Sequence, residues 1–296
     1  MEKILNLSFK IYNTKKIKEY RRVAVFLTRV LLSKKRFKKL MFFFDGSQIK
    51  KDIINKEPYF LEQATRKFLY KDSKIDERIT IIKKHFDFME RMFTDECLRK
   101  IYIDKEMKLW ESDYNNSKVF FSLDYDGGQK KEGLLAINIR IKSINVYQMI
   151  FWIGVNNSLY IGAMQGPNTS DANEIIKGLT KHCYGYRTKN LILFATRCVA
   201  KTLGIQKIYA VSNKGYYANN HIRLDRKLKT SLDDFWEEAG GKITADYRFY
   251  ELPVEEYRKS IEEIKTHKRN LYRKRFELLD SIEEAIKENL LEVMNK

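Results

Sequence analysis

A short polar turn ahead of an apolar helical stretch is the clearest chemical signal in the sequence. Residues 185–190 read Gly-Tyr-Arg-Thr-Lys-Asn. The first N–H groups of a helix lack intrahelical acceptors, and the helix dipole favours negative charge there. Arg187 and Lys189 add positive charge, while Thr188 and Asn190 add hydrogen-bond donors. The pattern predicts either an anion-binding turn or a basic surface turn before a core helix.

Other polar side chains stand near strand ends, where they could move protons or hold a ligand. His221 is a candidate base because imidazole changes charge near neutral pH, and Glu132, next to a turn, is a second. Gln165 can both accept and donate hydrogen bonds, and Gly166 allows a ligand to approach the backbone closely. Each of these residues also has a structural interpretation, in a turn or in the core.

The change of hydrophobic period along the chain predicts the elements that position these residues. Apolar residues at steps of three and four predict a helix over 75–103. The following residues predict four antiparallel strands at 119–125, 134–142, 146–155 and 159–164, helices at 171–183 and 188–203, a strand at 207–211, a helix at 233–239, a strand through 249–252 and one or two helices in 254–294.

These elements predict one compact α/β (α+β) body with a central mixed, mostly antiparallel sheet flanked by helices. Residues 1–115 form a basic helical region packed on the core, 116–253 the sheet-containing core, and 254–296 a C-terminal helical region. In the predicted strand at 134–142, Ala136, Asn138 and Arg140 alternate with Leu and Ile, which indicates that one face is buried.

The charge is strongly positive and uneven. The chain of 296 residues has a formal net charge of +18, and residues 1–40 hold 13 Lys or Arg against two Glu. Such a field attracts anionic partners. Residues 20–44 alternate cations with apolar residues, so they are expected either to lie on a membrane surface or to pack on the domain.

Three widely spaced cysteines argue against a disulfide framework or a zinc site, and no apolar run is long enough to span a bilayer. A cytoplasmic protein is expected, peripheral to the inner membrane if residues 20–44 lie on the membrane surface.

Several phrases, in their order and spacing, resemble the VirK/YbjX family over roughly residues 40–290. They are IGAMQGP (161–167), GYRTKNLILFA (185–195), LGIQKIYAVSN (203–213), DDFWEEAGG (233–241), ELP (251–253) and KRNLYRKR (268–275). The resemblance implies a link to envelope-related virulence traits and to tolerance of antimicrobial peptides in Gram-negative bacteria. It leaves the chemistry open.

The order of elements from 159 to 252 is also similar to the core of GNAT acyltransferases, with helical additions at both ends. That resemblance implies that Gln165, Gly166 and the turn from Arg187 to Asn190 bind the phosphates and amides of an acyl-CoA or acyl-carrier-protein donor. It further implies that Asn213 fixes an amide, that Tyr216 or Tyr217 protonates a leaving thiolate, and that Glu132 or His221 acts as base. No covalently bound cofactor and no metal are expected.

Two functions from different classes remain open at this stage. The first is an acyltransferase that modifies an envelope component. The second is a non-enzymatic accessory at the inner membrane that binds anionic lipid or an envelope-biosynthesis partner. Nucleic-acid binding is disfavoured, because no helix-turn-helix, zinc or RNA-recognition signature accompanies the positive charge.

Overall fold

The structure, a computed structural model, describes residues 2–12, 16–167, 169–219 and 231–295. Helices form the first third of the chain: α1 (Glu2–Ile11), α2 (Ile17–Leu32), α3 (Lys34–Phe44), α4 (Gln48–Lys56), α5 (Tyr59–Thr65), α6 (Ile75–Met92) and α7 (Asp95–Arg99). The later helices are α8 (Ala172–His182), α9 (Thr188–Thr202), α10 (Leu232–Glu238) and α11 (Arg269–Val293). Within the described ranges, no helix combines the length and the apolarity needed to cross a bilayer.

The described residues form one sheet of eight strands. They are β1 (Lys108–Tyr114), β2 (Ser117–Asp124), β3 (Leu135–Ile141), β4 (Ile144–Ile153), β5 (Leu159–Gln165), β6 (Ile208–Val211), β7 (Lys242–Ile243) and β8 (Phe249–Leu252). The order in the sheet is β1-β2-β3-β4-β5-β6-β8-β7. Every neighbouring pair is antiparallel except β5 and β6, which run parallel and are joined by the crossover through α8 and α9. The predicted mixed, mostly antiparallel sheet flanked by helices is confirmed.

Helices cover both faces of the sheet. The consecutive residues 135–139 of β3 and 149–153 of β4 are all buried, which requires cover on either side. Helix α6 contacts β4, while α9 contacts β3 and β4, and α11 packs on α9 and β1. Asn138 of β3 is 0% exposed. The prediction of a single buried face for this strand was therefore wrong.

The basic segment 20–44 folds as α2 and α3 and contributes to the core. Val23, Phe26, Val30, Phe37 and Leu40 are buried, on the inner sides of the two helices. Phe26 lies edge-on to Phe37, with ring centroids 5.9 Å apart. The interpretation of this segment as a helical layer packed on the domain is confirmed for these side chains, and its cations remain on the outside.

The structure differs from the predicted elements in three places. The helix predicted over 75–103 ends at Met92, because Phe93 is extended and Thr94 caps α7 by accepting a hydrogen bond from Cys97 N–H. Strand β1 was not predicted, so the sheet begins at Lys108, ahead of the expected boundary at 116. In the C-terminal region only 269–293 is α-helical, and 253–265 runs without regular structure.

His85, on α6, is a buried neutral histidine. Its Nδ1 accepts a hydrogen bond from Ile153 N–H at 3.1 Å, so Nε2 carries the proton and donates it to the Tyr102 hydroxyl at 2.7 Å. Burial lowers the pKa of His85 from 6.5 to about 3. An unfolded chain therefore takes up a proton at a pH where the folded chain does not.

The stability contributed by neutral His85 is complete above about pH 6.5 and is lost as the pH falls towards 3. Through this residue alone, we expect the free energy of unfolding to fall by about 2 kcal/mol between pH 7 and pH 5. Urea titrations at both pH values measure the loss. His85→Gln supplies a neutral acceptor and donor that do not titrate, so its loss should be smaller by that amount. Equal losses in the two proteins would contradict this role of His85.

Candidate functional site

The two parallel strands separate after a short paired stretch. Strand β5 pairs with β6 only over Leu159–Ile161 and Ile208–Ala210, after which β5 continues to Gln165 while β6 ends at Val211. The loop 126–134 enters beside this opening. A Cβ on Gly162 would overlap the carbonyl oxygen of Glu132, so the loop backbone lies directly against β5. Residues from two distant segments therefore meet where the strands diverge.

Glu132 and Tyr216 form a buried acid–phenol pair at this point. The Tyr216 hydroxyl donates to Glu132 Oε1 at 3.1 Å, and the two residues are 7% and 4% exposed. Burial, and then the charge of Glu132, raise the pKa of Tyr216 and of Tyr217, whose ring is 4.9 Å from that of Tyr216. Tyr216 is thus a neutral proton donor in direct contact with a proton acceptor. The structure brings together two of the residues predicted to be catalytic.

Helix α5 holds the loop that carries Glu132. Gln63 Nε2 donates to the carbonyl oxygens of Lys130 and Gly133, at 2.8 and 2.7 Å. Lys130 Nζ pairs with Glu62 Oε2 at 2.9 Å, and Glu62 is 0% exposed. Sequence reasoning missed these two residues, although a Glu-Gln pair between apolar residues of a short helix was a detectable signal.

Gln165 is linked to the same loop through a relay of side-chain amides. Gln148 Nε2 donates to Gln165 Oε1 at 3.0 Å, and Gln129 Nε2 donates to Gln148 Oε1 at 2.9 Å. Gly166 follows at the end of β5, beside the ring of Tyr147. Gln165 therefore ends its strand, as the sequence predicted, and its side chain is engaged with Gln148 of β4.

A second buried polar cluster, which was not predicted from the sequence, continues across the sheet from Gln165. Asp124 is 0% exposed and accepts hydrogen bonds from Ser122 and Asn138, at 2.7 and 3.0 Å. Burial raises the pKa of Asp124, although Arg140, with Nη2 2.9 Å from the carboxylate, acts against the shift. In register, Ser122 lies beside Asn138 and Asn138 beside Gln148, so one polar row crosses four strands.

Asn213 holds helix α10 rather than the Glu132–Tyr216 pair. Its Oδ1 accepts from Leu232 N–H at 2.8 Å, and its Nδ2 donates to Ser231 Oγ at 3.0 Å. The backbone N–H of Asn213 donates to Asp233 at 2.7 Å. Its side chain is thereby engaged in a structural contact. His221, the other candidate base, lies outside the described residues.

The turn before α9 has both the features of an anion site and an internal counter-ion. Among the described residues, the N–H groups of Thr188 and Lys189 have no acceptor. Thr188 Oγ1 and Asn190 Oδ1 are also buried, and neither atom has a hydrogen-bond partner within the described residues. The carboxylate of Glu238, from α10, pairs with Arg187 and with Lys189, the latter at 3.0 Å. The predicted cations are therefore brought together, around a carboxylate of the protein itself.

An aromatic cavity of about 440 Å³ is lined in part by Trp152, whose ring also lies beside Gly162. Its apolar lining includes Tyr70, Trp152, Tyr160 and Phe249. The rings of Trp152 and Tyr160 are stacked 5.5 Å apart. Its polar lining consists of Asp76, Glu77, Thr80, Asp246 and Arg248. Three acids against one cation are notable in a protein with a net charge of +18.

Comparison with known proteins identifies the family. Residues 15–288 match the family described as "Protein of unknown function (DUF535)". The chain belongs to this family. An uncharacterized protein of Haemophilus influenzae is 27% identical over 80% of this chain and 82% of its own length. The uncharacterized protein YbjX of Escherichia coli is 35% identical over 43% of this chain and 38% of its own length.

The DUF535 relatives also include the membrane protein LapB of Mannheimia haemolytica, which is 23% identical over 55% of this chain and 70% of its own length. The match to DUF535 and to YbjX confirms the predicted VirK/YbjX membership. No solved structure matches the chain. The likeness of this DUF535 protein to GNAT acyltransferases remains a prediction from the order of its elements.

Proposed function

We propose that this protein transfers an acyl group from a CoA thioester or an acyl carrier protein to a component of the bacterial envelope. The observation that carries the proposal is the buried Glu132–Tyr216 pair at the divergence of two parallel strands. Helix α9 follows β5 and precedes β6 in the chain, and its first N–H groups have no acceptor among the described residues. The GNAT resemblance implies this combination: a splayed parallel pair for the acyl group and a helix start for the phosphates.

The pair supplies both proton transfers that acyl transfer requires. An acceptor that binds as an ammonium ion first loses one proton to solvent. The neutral nitrogen, or the oxygen, of the acceptor then attacks the thioester carbonyl carbon, Glu132 takes its remaining proton, and the C–S bond breaks. Tyr216 gives its hydroxyl proton to the departing thiolate. The proton held by Glu132 then returns to Tyr216 along their hydrogen bond, which restores both groups.

The donor's phosphates take the position at the start of α9 that Glu238 now neutralises. Arg187 and Glu238 are 49% and 42% exposed, so this ion pair contributes little to stability and can be exchanged for a phosphate. Thr188 Oγ1 provides a further buried group for the same ligand. Binding therefore exchanges one anion for another.

The acceptor fits the aromatic cavity. Four aromatic rings and a rim with more acids than cations favour a positively charged amine that carries an apolar group. Trp152 lines this cavity and also lies beside Gly162, against which the backbone of Glu132 packs. An envelope component that carries a primary amine and an apolar group matches both the acidic rim and the aromatic rings. Any effect on virulence or on tolerance of antimicrobial peptides follows, in this proposal, from the modified envelope.

Thermal unfolding with a panel of donors tests donor binding. A ligand that binds only the folded state at 100 times its Kd stabilises it by about 2.7 kcal/mol, so the midpoint of unfolding rises. We expect acyl-CoA or acyl carrier protein to raise the midpoint, and pantetheine, which lacks the nucleotide phosphates, to raise it less. A panel in which no donor raises the midpoint would remove the basis of the proposal.

A second function, attachment to an anionic membrane, is favoured by the outer face of α2. Ile17 and Leu32 are 90% and 83% exposed, and Tyr20 and Leu31 lie on the same helical face at 56% and 50%. Apolar residues flanked by cations gain burial at a lipid interface and attraction to anionic headgroups. In this role the protein is an accessory at the inner membrane surface that recruits an envelope-biosynthesis partner.

Replacing Ile17 and Leu32 by Ser should weaken sedimentation with phosphatidylglycerol vesicles at low salt by roughly tenfold or more. Each side chain is worth about 1.5–3 kcal/mol when fully buried, and only part of that is realised at an interface. Ile243→Ser with Tyr257→Ser removes two exposed apolar residues elsewhere and should leave binding unchanged. Absence of binding by the wild type at low salt would exclude the membrane role. Deletion of 1–40 is unsuitable, since it removes Val23, Phe26 and Phe37 from the core.

A further inference from the structure

A strongly basic cavity lies against α2, and none of its lining residues lines the aromatic cavity or belongs to the turn before α9. Its volume is about 460 Å³. It is lined by Tyr12, Lys18, Arg21, Arg22, Val25, Arg29 and Arg66. Five of these residues are cationic, and no described residue that lines it is acidic.

Three of the five cations lack a carboxylate partner among the residues that the structure describes. Within the described residues Arg22 pairs with Glu19, and Arg66 with Glu62, at 2.7 and 3.1 Å. No described carboxylate lies within 4.0 Å of the charged groups of Lys18, Arg21 and Arg29. Like charges gathered in one concave surface repel one another until an anion neutralises them.

Buried contacts fix the floor of this basic cavity in place. Glu62, 0% exposed, accepts from the Tyr12 hydroxyl at 2.7 Å and pairs with both Arg66 and Lys130. Burial alone would raise the pKa of Glu62, but Lys130, Tyr12 and Arg66 together lower it. Glu62 is therefore charged and fully engaged. It orients Arg66, whose side chain is 36% exposed and lines the cavity.

We propose that this cavity binds a phosphate-bearing anion through Lys18, Arg21, Arg29 and Arg66. A terminal phosphate group carries nearly two charges and three acceptor oxygens, which matches several convergent donors. Guanidinium groups bind phosphate in a bidentate manner, and three of the four residues are Arg. The same chemistry belongs to the headgroup of a phosphomonoester lipid and to a soluble phosphate compound. The site is independent of the proposed acyl transfer.

Calorimetry with inorganic pyrophosphate tests the site on the full-length protein. We expect one-to-one binding by the wild type, at least tenfold weaker binding by Arg21→Ala with Arg29→Ala, and less than threefold change in Lys34→Ala with Lys38→Ala. The control removes the same charge from α3, outside the cavity. No binding by the wild type, or an equal loss in the control, would overturn the proposal. If the Ala variant proves unfolded, Lys18→Gln with Arg21→Gln, both at exposed positions, replaces it.

Vesicles distinguish the two sources of the phosphate. Phosphatidylcholine vesicles that contain phosphatidic acid are compared with vesicles brought to the same surface charge by phosphatidylglycerol. A preference for phosphatidic acid that is lost in Arg21→Ala with Arg29→Ala supports the lipid source. Pyrophosphate binding without that preference supports a soluble phosphate. Pyrophosphate binding without any vesicle binding supports the phosphate site and excludes the membrane role. The proposed phosphate site and the proposed membrane attachment can therefore be refuted separately.

Discussion

Glu132→Gln should lower the rate of acyl transfer by about 10²–10⁴-fold, the range that a positioned general base contributes. The amide keeps the shape of the carboxylate and can still accept the hydrogen bond from Tyr216, but it cannot take a proton from the acceptor. Donor affinity should remain unchanged, because the phosphates bind at the start of α9. Steady-state rates of thiol release, with donor affinity measured separately, give both quantities.

A second tyrosine–glutamate pair provides the matched control. The Tyr250 hydroxyl donates to Glu237 at 2.9 Å, from β8, which lies on the opposite side of β6 from β5. Glu237→Gln should leave the rate unchanged. Tyr216→Phe removes the proton donor and should also lower the rate, most strongly for donors with poor leaving groups. A Glu132→Gln protein that is folded and as fast as the wild type would exclude Glu132 as the base.

Donor affinity should change in opposite directions when the two sides of the α9 ion pair are altered. Arg187→Ala with Lys189→Ala should weaken binding of acyl-CoA, since each lost charge-assisted hydrogen bond costs roughly 1.5–3 kcal/mol. Glu238→Gln should strengthen binding, because it removes the carboxylate that competes with the phosphate for both cations. Calorimetry with acyl-CoA measures both effects.

The opposite signs separate this site from a general effect of charge. Lys201→Ala with Lys207→Ala removes two exposed cations elsewhere and should have little effect on affinity. Because Arg187 and Glu238 are about half exposed, none of these variants should lose much stability. Unchanged affinity in both the double variant and Glu238→Gln would place the donor elsewhere on the protein.

The sequence predicted the sheet well because its strands carry local signals. Two consecutive Asn residues between strands favour a tight turn, and Asn156 and Asn157 both have the left-handed backbone angles, φ 55° and 50°, that Asn tolerates. A glycine just after a helical stretch favours the end of the helix, and Gly204, with φ 68°, follows the end of α9. The break in the helix predicted over 75–103 was missed, since the apolar stripe continues through Phe93 and Cys97 while Thr94 restarts the helix.

The candidate site was only partly predictable, because tertiary contacts decide which polar residues meet. Glu132 and Tyr216 were each expected to be reactive, but their contact joins segments 84 residues apart. Nothing local indicated that Glu238 would neutralise Arg187 and Lys189. Asn213 follows a strand, as a ligand-binding residue would, yet its side chain holds α10. A polar residue at a strand end is equally suited to a cap, and only the fold distinguishes the two.

The acyl-transfer proposal is tested most directly by following both products of one reaction. The wild-type protein is incubated with acyl-CoA and a primary amine that carries an apolar group, free thiol is measured, and the acylated amine is identified by mass spectrometry. We expect thiol and acylated amine in equal amounts from the wild type, and a loss of about 10²–10⁴-fold in both from Glu132→Gln. Thiol release without acylated amine, or no product from a folded wild type across CoA and acyl-carrier-protein donors, would contradict acyl transfer.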